Sequence, residues 1–196
     1  DESTLKDMVK QGVEKLANMQ CADGGWGWFS GWGEQSYPHT TAYVVHGMQV
    51  ARANAVQLEP NMLDRGILWL KNHQAREVQM IKNGATETKP YKKVADNLDG
   101  FVYMVLADAG QENVEMREFL YRDRNHLAVY TKAMFGLALH KLNHKEQRDM
   151  LIQNVEQFLK QDDENQTAWL ELPQDNYWWY WYGSEYEAQA YYLKLL

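Results

Sequence analysis

The sequence predicts an all-α chain of helical hairpins, on three observations. Apolar residues recur at helical spacing in most segments. Segments with one apolar stripe alternate with segments apolar almost all the way round, the pattern of outer and inner helices. A short motif, an apolar ladder closed by Gln, returns as VEKLANMQ (13–20), ILWLKNHQ (67–74) and VEQFLKQ (155–161).

In order, residues 3–20 are predicted as an outer helix capped by Ser3, with Leu5, Met8, Val9, Val13 and Leu16 along one stripe. A loop over 21–36 carries five glycines, and Ser36 before Tyr37-Pro38 predicts the start of an inner helix over 38–56. Leu58-Glu59-Pro60 is a turn, Asn61 a cap, and 61–75 the next outer helix. Residues 75–89 lose the apolar period and are expected as a long connection. Inner helix 91–109, closed by Gly110, is followed by a short outer helix over 111–123 and an apolar inner one over 126–142. The outer pattern over 144–161 leads to a loop or short β-hairpin over 162–183, and the last inner helix starts at Ser184.

The inner segments TTAYVVHGM (40–48), LDGFVYMVLA (98–107), YTKAMFGLAL (130–139) and EAQAYYLKLL (187–196) each contain a small residue, which lets neighbouring helices approach. A period of about 45 residues makes each unit a helix pair that cannot bury its own face alone. About four such pairs fit, which predicts an incomplete α/α toroid. The chain starts DESTLKDM and stops inside the apolar pattern YYLKLL. One domain over 1–196, excised from a much larger multidomain protein, is the expectation.

Composition narrows function. The formal charge is −7 and the basic residues are scattered, which argues against a polyanionic partner. One cysteine, Cys21, excludes an internal disulfide and a multi-cysteine zinc cluster. No apolar run approaches the ~20 residues of a membrane span. Eight Trp and twelve Tyr require an aromatic core, an aromatic surface groove, or both.

Gln20 followed by Asp23-Gly-Gly-Trp-Gly-Trp28 resembles the QW-type repeats of α/α-toroid proteins, which include terpenoid cyclases and prenyltransferases. In that reading Gln bonds the end of a neighbouring helix, Gly permits a tight turn and Trp covers the joint. A ligand role for Trp26, Trp28, Phe29 and Trp32 is the competing reading. His39, at the entry to an inner helix, is a further binding candidate. So are Trp178, Trp179 and Trp181, which could stack on a glycan or peptide.

Catalytic signals are poor. Asp162-Asp163-Glu164 is the tightest acidic cluster and reads as a solvated run. His140 and His144 have metal-ligand spacing, but Asn143 is expected to end the helix between them. No nucleophile elbow, P-loop or EF-hand pattern is present. No catalytic residue, metal or cofactor is expected. Gly31-Trp32-Gly33-Glu34-Gln35 has Trp where a Gly-Cys-Gly-Glu-Gln thioester site has its sulfur, so these residues carry no such bond.

The succession DGGWGWFSGW (23–32), SYPHTTAYVVHG (36–47), WLKNHQ (69–74) and YWWYWYGSEYEAQAYYLKLL (177–196) resembles the thioester-type α/α-toroid domain of the alpha-macroglobulin and complement family, above all its bacterial members. That resemblance implies a periplasmic, envelope-anchored or extracellular protease inhibitor, whose partners are proteases and other domains of its own chain. It implies no turnover. The family's thioester lies upstream of the DGG-type turn, and residues 75–97 contain no histidine to assist acyl transfer. The rival readings are a toroid enzyme of the terpenoid-cyclase or prenyltransferase type and an aromatic-groove binding module.

Overall fold

A computed structural model describes residues 2–29, 33–172 and 185–196. The fold is all-α apart from one β-hairpin, and its compact units are Asp1–Gln79 and Met80–Leu196. Among the described residues no helix is long and apolar enough to cross a membrane.

The first unit holds α1 (Glu2–Met19), α2 (Pro38–Ala53) and most of α3 (Met62–Asn83). α1 starts before Ser3, which therefore does not cap it. Tyr37, not Ser36, is the N-cap of α2, and Pro38 takes the first helical position, where a missing N–H costs nothing. Asn61 adopts a left-handed φ of 62°, and its carbonyl accepts from Arg65 at 3.0 Å.

α3 corrects the expected connection over 75–89, because it runs on to Asn83. Leu63, Leu70, Val78 and Ile81 are all buried at helical spacing. His73 and Gln74, also buried, occupy the middle rung of that ladder, and the polar residues that dominate 75–83 hid its continuation through Val78 and Ile81. Among the described residues Gln74 Nε2 has no hydrogen-bond partner.

The second unit is built around α4 (Asn97–Asp108) and α6 (Val129–Lys141). α4 is buried continuously from Asp99 to Ala107, and α6 from Val129 to Gly136. Gly100 lets α4 approach Thr131, Tyr103 meets Phe135 edge-on at 5.5 Å, and Gly136 faces Leu195 of α8 (Glu185–Leu195). Gly47 of α2 meets nothing within 4 Å, whereas Ala42 is the fully buried small residue of that segment. α5 (Val114–Arg122), capped by the Asn113 side chain, and α7 (Lys145–Glu156) are the outer partners. A 3-10 turn, Arg124–His126, leads into α6.

The expected helix over 144–161 stops at Glu156. Leu159–Asp162 instead forms β1, which pairs antiparallel with β2 (Thr167–Leu170). Gln161 is thus an exposed strand residue and not a helix-closing one. The hairpin is anchored at its base, where Leu170 joins Val129, Val155 and Tyr192 in a small core. There Gln189 of α8 accepts from Leu170 N–H at 3.1 Å and donates to its carbonyl at 3.2 Å.

α2, α4 and α6 end alike. Residues Ala55, Gly110 and Asn143 have φ of 63°, 69° and 64°. Each donates its N–H into the last turn, and the following residue donates to the carbonyl one residue further back. This is the Schellman closure, which favours glycine because a Cβ is strained in the left-handed region. Ala55 is the costliest occupant. Ala55→Gly is expected to stabilise the first unit by roughly 0.5–1 kcal/mol, read as a higher urea midpoint. An unchanged or lower midpoint would show that the strain is relieved elsewhere.

Candidate functional site

The Gln20–Trp28 segment is a joint that ties three helices together. Trp26 is 1% exposed. Its indole N–H donates to Leu16 O of α1 at 2.8 Å, and its backbone N–H donates to Thr41 Oγ1 of α2 at 2.9 Å. Its ring lies against Gly66 of α3, where an added Cβ would stand 2.8 Å from the ring. Gln20 Nε2 donates to Gly24 O at 2.9 Å and to Met62 O, the first residue of α3, at 3.0 Å. Arg65 completes the clamp by donating to Gln20 Oε1 and to the carbonyls of Cys21 and Ala22. The expectation that Gln bonds a neighbouring helix end while Trp covers the joint describes this geometry.

Asp23 is the electrostatic centre of the turn. Oδ1 accepts from Ser36 at 2.5 Å and from Gly25 N–H at 3.2 Å, and Oδ2 accepts from the Trp69 indole at 2.8 Å. Burial works to raise this carboxyl, but the Ser36, Trp69 and Gly25 donors outweigh it and hold it below its usual range. A carboxylate committed to three donors is a structural anion with little capacity for proton transfer. Ser36 and Trp69 went unnoticed in the sequence because Asp23 meets them only after the chain has turned.

The other candidates differ in placement. Trp28 is 47% exposed with the Tyr37 ring 6.5 Å away, and Phe29 is 75% exposed. His39 stacks edge-on with Tyr43 at 4.7 Å, one helical turn along α2. These side chains present an aromatic surface, separate in role from the buried Trp26. Trp32, Trp178, Trp179 and Trp181 lie outside the described residues. Cys21 is partly buried in the joint, its backbone N–H donating to Gly25 O.

His140 and His144 do not converge. α6 ends between them in the closure at Asn143, which turns the chain. His144 Nε2 lies 2.8 Å from Glu112, whereas His140 Nδ1 lies 3.2 Å from Arg148. Among the described residues no three His, Cys, Asp or Glu side chains are grouped to hold a metal ion. Beside α1, a groove of about 620 Å³ has Leu5, Val9, Val13, Val56 and Leu58 among its lining residues. Lys6, Lys10, Glu14 and Glu59 also line it.

The most demanding charge cluster was missed in the sequence. Asp96 caps α4 by accepting from Asp99 N–H at 3.0 Å, and Asp99 Oδ2 returns the bond from Asp96 N–H at 2.8 Å. Lys92 Nζ lies 2.5 Å from Asp99 Oδ2, and Asp123 Oδ2 accepts from Ala95 N–H at 2.8 Å. The Asp-x-x-Asp spacing just before an apolar run was the available signal for this capping box.

No protein-family model matches the chain. It is 25% identical over 195 residues, 99% of its length, to a protein of Nostoc sp. named alpha-2-macroglobulin homolog. It is 36% identical over 69 residues, 35% of its length, to a Thermotoga maritima protein named alpha-2-macroglobulin. The chain spans 10% and 4% of those two relatives. Among solved structures it superposes on native Escherichia coli alpha-2-macroglobulin, from domain MG7 to the C-terminus, with a TM-score of 0.60. That match covers 85% of this chain and 26% of the other at 19% identity, a likeness of fold.

Proposed function

We propose that this alpha-macroglobulin-like chain is part of the thioester-type α/α-toroid domain of a bacterial protease inhibitor that acts in the periplasm, on the cell envelope or outside the cell. The single observation that best supports the reading is a match running along 99% of the chain, to a relative about ten times as long. A helical domain inside so long a polypeptide works through its contacts with neighbouring domains. Cleavage of a bait segment elsewhere would release such contacts and convert stored strain into capture of the attacking protease.

The joint suits that role. Trp26, Gln20 and Arg65 bind α1, α2 and α3 through backbone carbonyls and buried packing, so the unit can move as a body without unravelling. The Asp23 carboxylate is engaged by Ser36, Gly25 and Trp69, which suits a scaffold role for this stretch.

The test is intact mass of the full-length inhibitor before and after methylamine. One amine gained and one thiol released would establish a thioester elsewhere in the parent and make this a covalent trap. No uptake, together with no protease retained after bait cleavage, would overturn the inhibitor reading.

A further inference from the structure

The acidic run Asp162-Asp163-Glu164 continues directly into Asn165-Gln166-Thr167. Asn-x-Thr, with x other than proline, is the acceptor pattern for N-linked glycosylation, and the sequence contains an Asn-x-Ser/Thr triplet only here. Asp163, two residues before the Asn, supplies a fixed negative charge at the edge of the pattern, which a cationic side chain of a transferase could pair with.

The fold puts this triplet where an enzyme can reach it. Asp162 pairs with Thr167 across the hairpin, so residues 163–166 form its four-residue tip. Every residue from Asp163 to Trp169 is exposed, and among the described residues the hairpin is anchored at its base, through Leu170 and Gln189. A bulky polar group at the tip would displace no core contact. Asn165 Nδ2 donates to Asp162 Oδ2 at 2.7 Å, while Asp162 Oδ1 accepts from the N–H groups of Glu164 and Asn165, both at 3.1 Å. These bonds are exposed to water, which can replace them when the amide is withdrawn into another active site.

We propose that Asn165 is an N-glycosylation site, modified by an oligosaccharyltransferase with a polyprenyl-diphosphate-linked oligosaccharide as donor. In the transfer a bond forms between Asn165 Nδ2 and the anomeric carbon of the first sugar. The bond from that carbon to the diphosphate oxygen breaks, the polyprenyl diphosphate leaves with the electron pair, and Nδ2 loses one proton. No oxidant or reductant enters. The proposal rests on the envelope or extracellular location proposed above, because such donors are used on the far side of the cytoplasmic membrane.

The experiment is peptide mass mapping of the full chain isolated from the cells that make it. In parallel, the purified folded chain is given a detergent-solubilised bacterial oligosaccharyltransferase and its lipid-linked donor. The peptide spanning 161–169 is expected to gain the mass of one oligosaccharide in both. Asn165→Gln and Thr167→Ala are expected to abolish the gain, and Thr167→Ser to retain it. Unchanged circular dichroism of each variant separates loss of the acceptor from loss of the fold. An unmodified peptide in the native protein overturns the proposal, as does a mass gain that persists in Asn165→Gln. Methylamine uptake by the same preparation tells failure here from failure of the inhibitor reading, because the thioester chemistry does not depend on the hairpin.

Discussion

Trp26→Ala is expected to lower the stability of the first unit by about 3–5 kcal/mol, the usual cost of emptying a fully buried Trp site. The expectation comes from what the ring touches. It lies against Gly66 of α3, while its backbone N–H is held by Thr41 of α2 and its indole N–H by Leu16 of α1. No single neighbour can collapse into the vacated space without releasing another, so the cavity term is felt in full. Trp26→Phe separates the contributions. It keeps most of the packing and removes the indole donor, leaving Leu16 O unpaired by it, so a loss of about 1–2 kcal/mol is expected. Urea midpoints of the two variants provide the check. A loss below about 1 kcal/mol for Trp26→Ala would mean that Gln20 and Arg65 hold the joint without the ring.

The second large effect concerns the start of α4. Burial, and then the neighbouring Asp96 carboxylate, push the Asp99 carboxyl from 3.8 up to about 7, while the Lys92 ammonium 2.5 Å away pulls it down. Because the folded-state value lies above the unfolded one, the folded protein binds this proton more tightly between those two pH values. The contribution of Asp99 is therefore fully present below about pH 4 and is lost as pH rises through 7. Lys92→Met removes the cation that favours the ionised form and leaves the Asp96 N–H as a donor to this carboxyl. At pH 5.5 the carboxyl is already largely protonated and the variant should lose about 1 kcal/mol or less. At pH 8.5 the variant must either bury an unpaired carboxylate or hold a proton against bulk pH, and a further loss of up to about 2 kcal/mol is expected, because the native carboxyl ionises only above about 7. Denaturation midpoints at both pH values check this. Asp99→Asn in the Lys92→Met background should abolish the difference between them, since the buried group no longer titrates. Equal losses at both pH values would assign the role of Lys92 to packing of its aliphatic stem.

How much of this was legible in the sequence depended on the range of the interaction. The Gln20–Trp26 joint was legible because its residues fall within seven positions and the chemistry is that of one turn. Gln, Gly and Trp each have a distinct part in closing a helix end against its neighbour. The inner helices were legible because α4 and α6 are buried nearly all round, which removes the polar stripe and leaves a run too apolar to misread. The closures at Gly110 and Asn143 follow from residues that favour positive φ.

The failures share one physical cause, that pattern reports composition and not partners. α3 was cut short because polar residues dominate 75–83 and mask the period, while Val78 and Ile81 alone carry the buried face onward there. VEQFLKQ carries the same apolar ladder as the two segments that are helical, yet Phe158 and Leu159 are taken by the core around Leu170 and the chain becomes a strand from Leu159. Gln20, Gln74 and Gln161 looked alike and became a helix clamp, a buried side chain and an exposed strand residue.

The sequence by itself therefore determined the helical hairpins, the buried character of the inner helices and the turn chemistry at Gln20–Trp28, because periodicity and turn geometry act over a few residues. Only the tertiary structure decided which glutamine finds a carbonyl, which carboxylate is committed to donors at Asp23, and which is left buried beside one lysine at Asp99. Those outcomes rest on desolvation and on partners that the fold supplies, such as Ser36 and Trp69 for Asp23, 13 and 46 positions away. Neither quantity is written in local pattern.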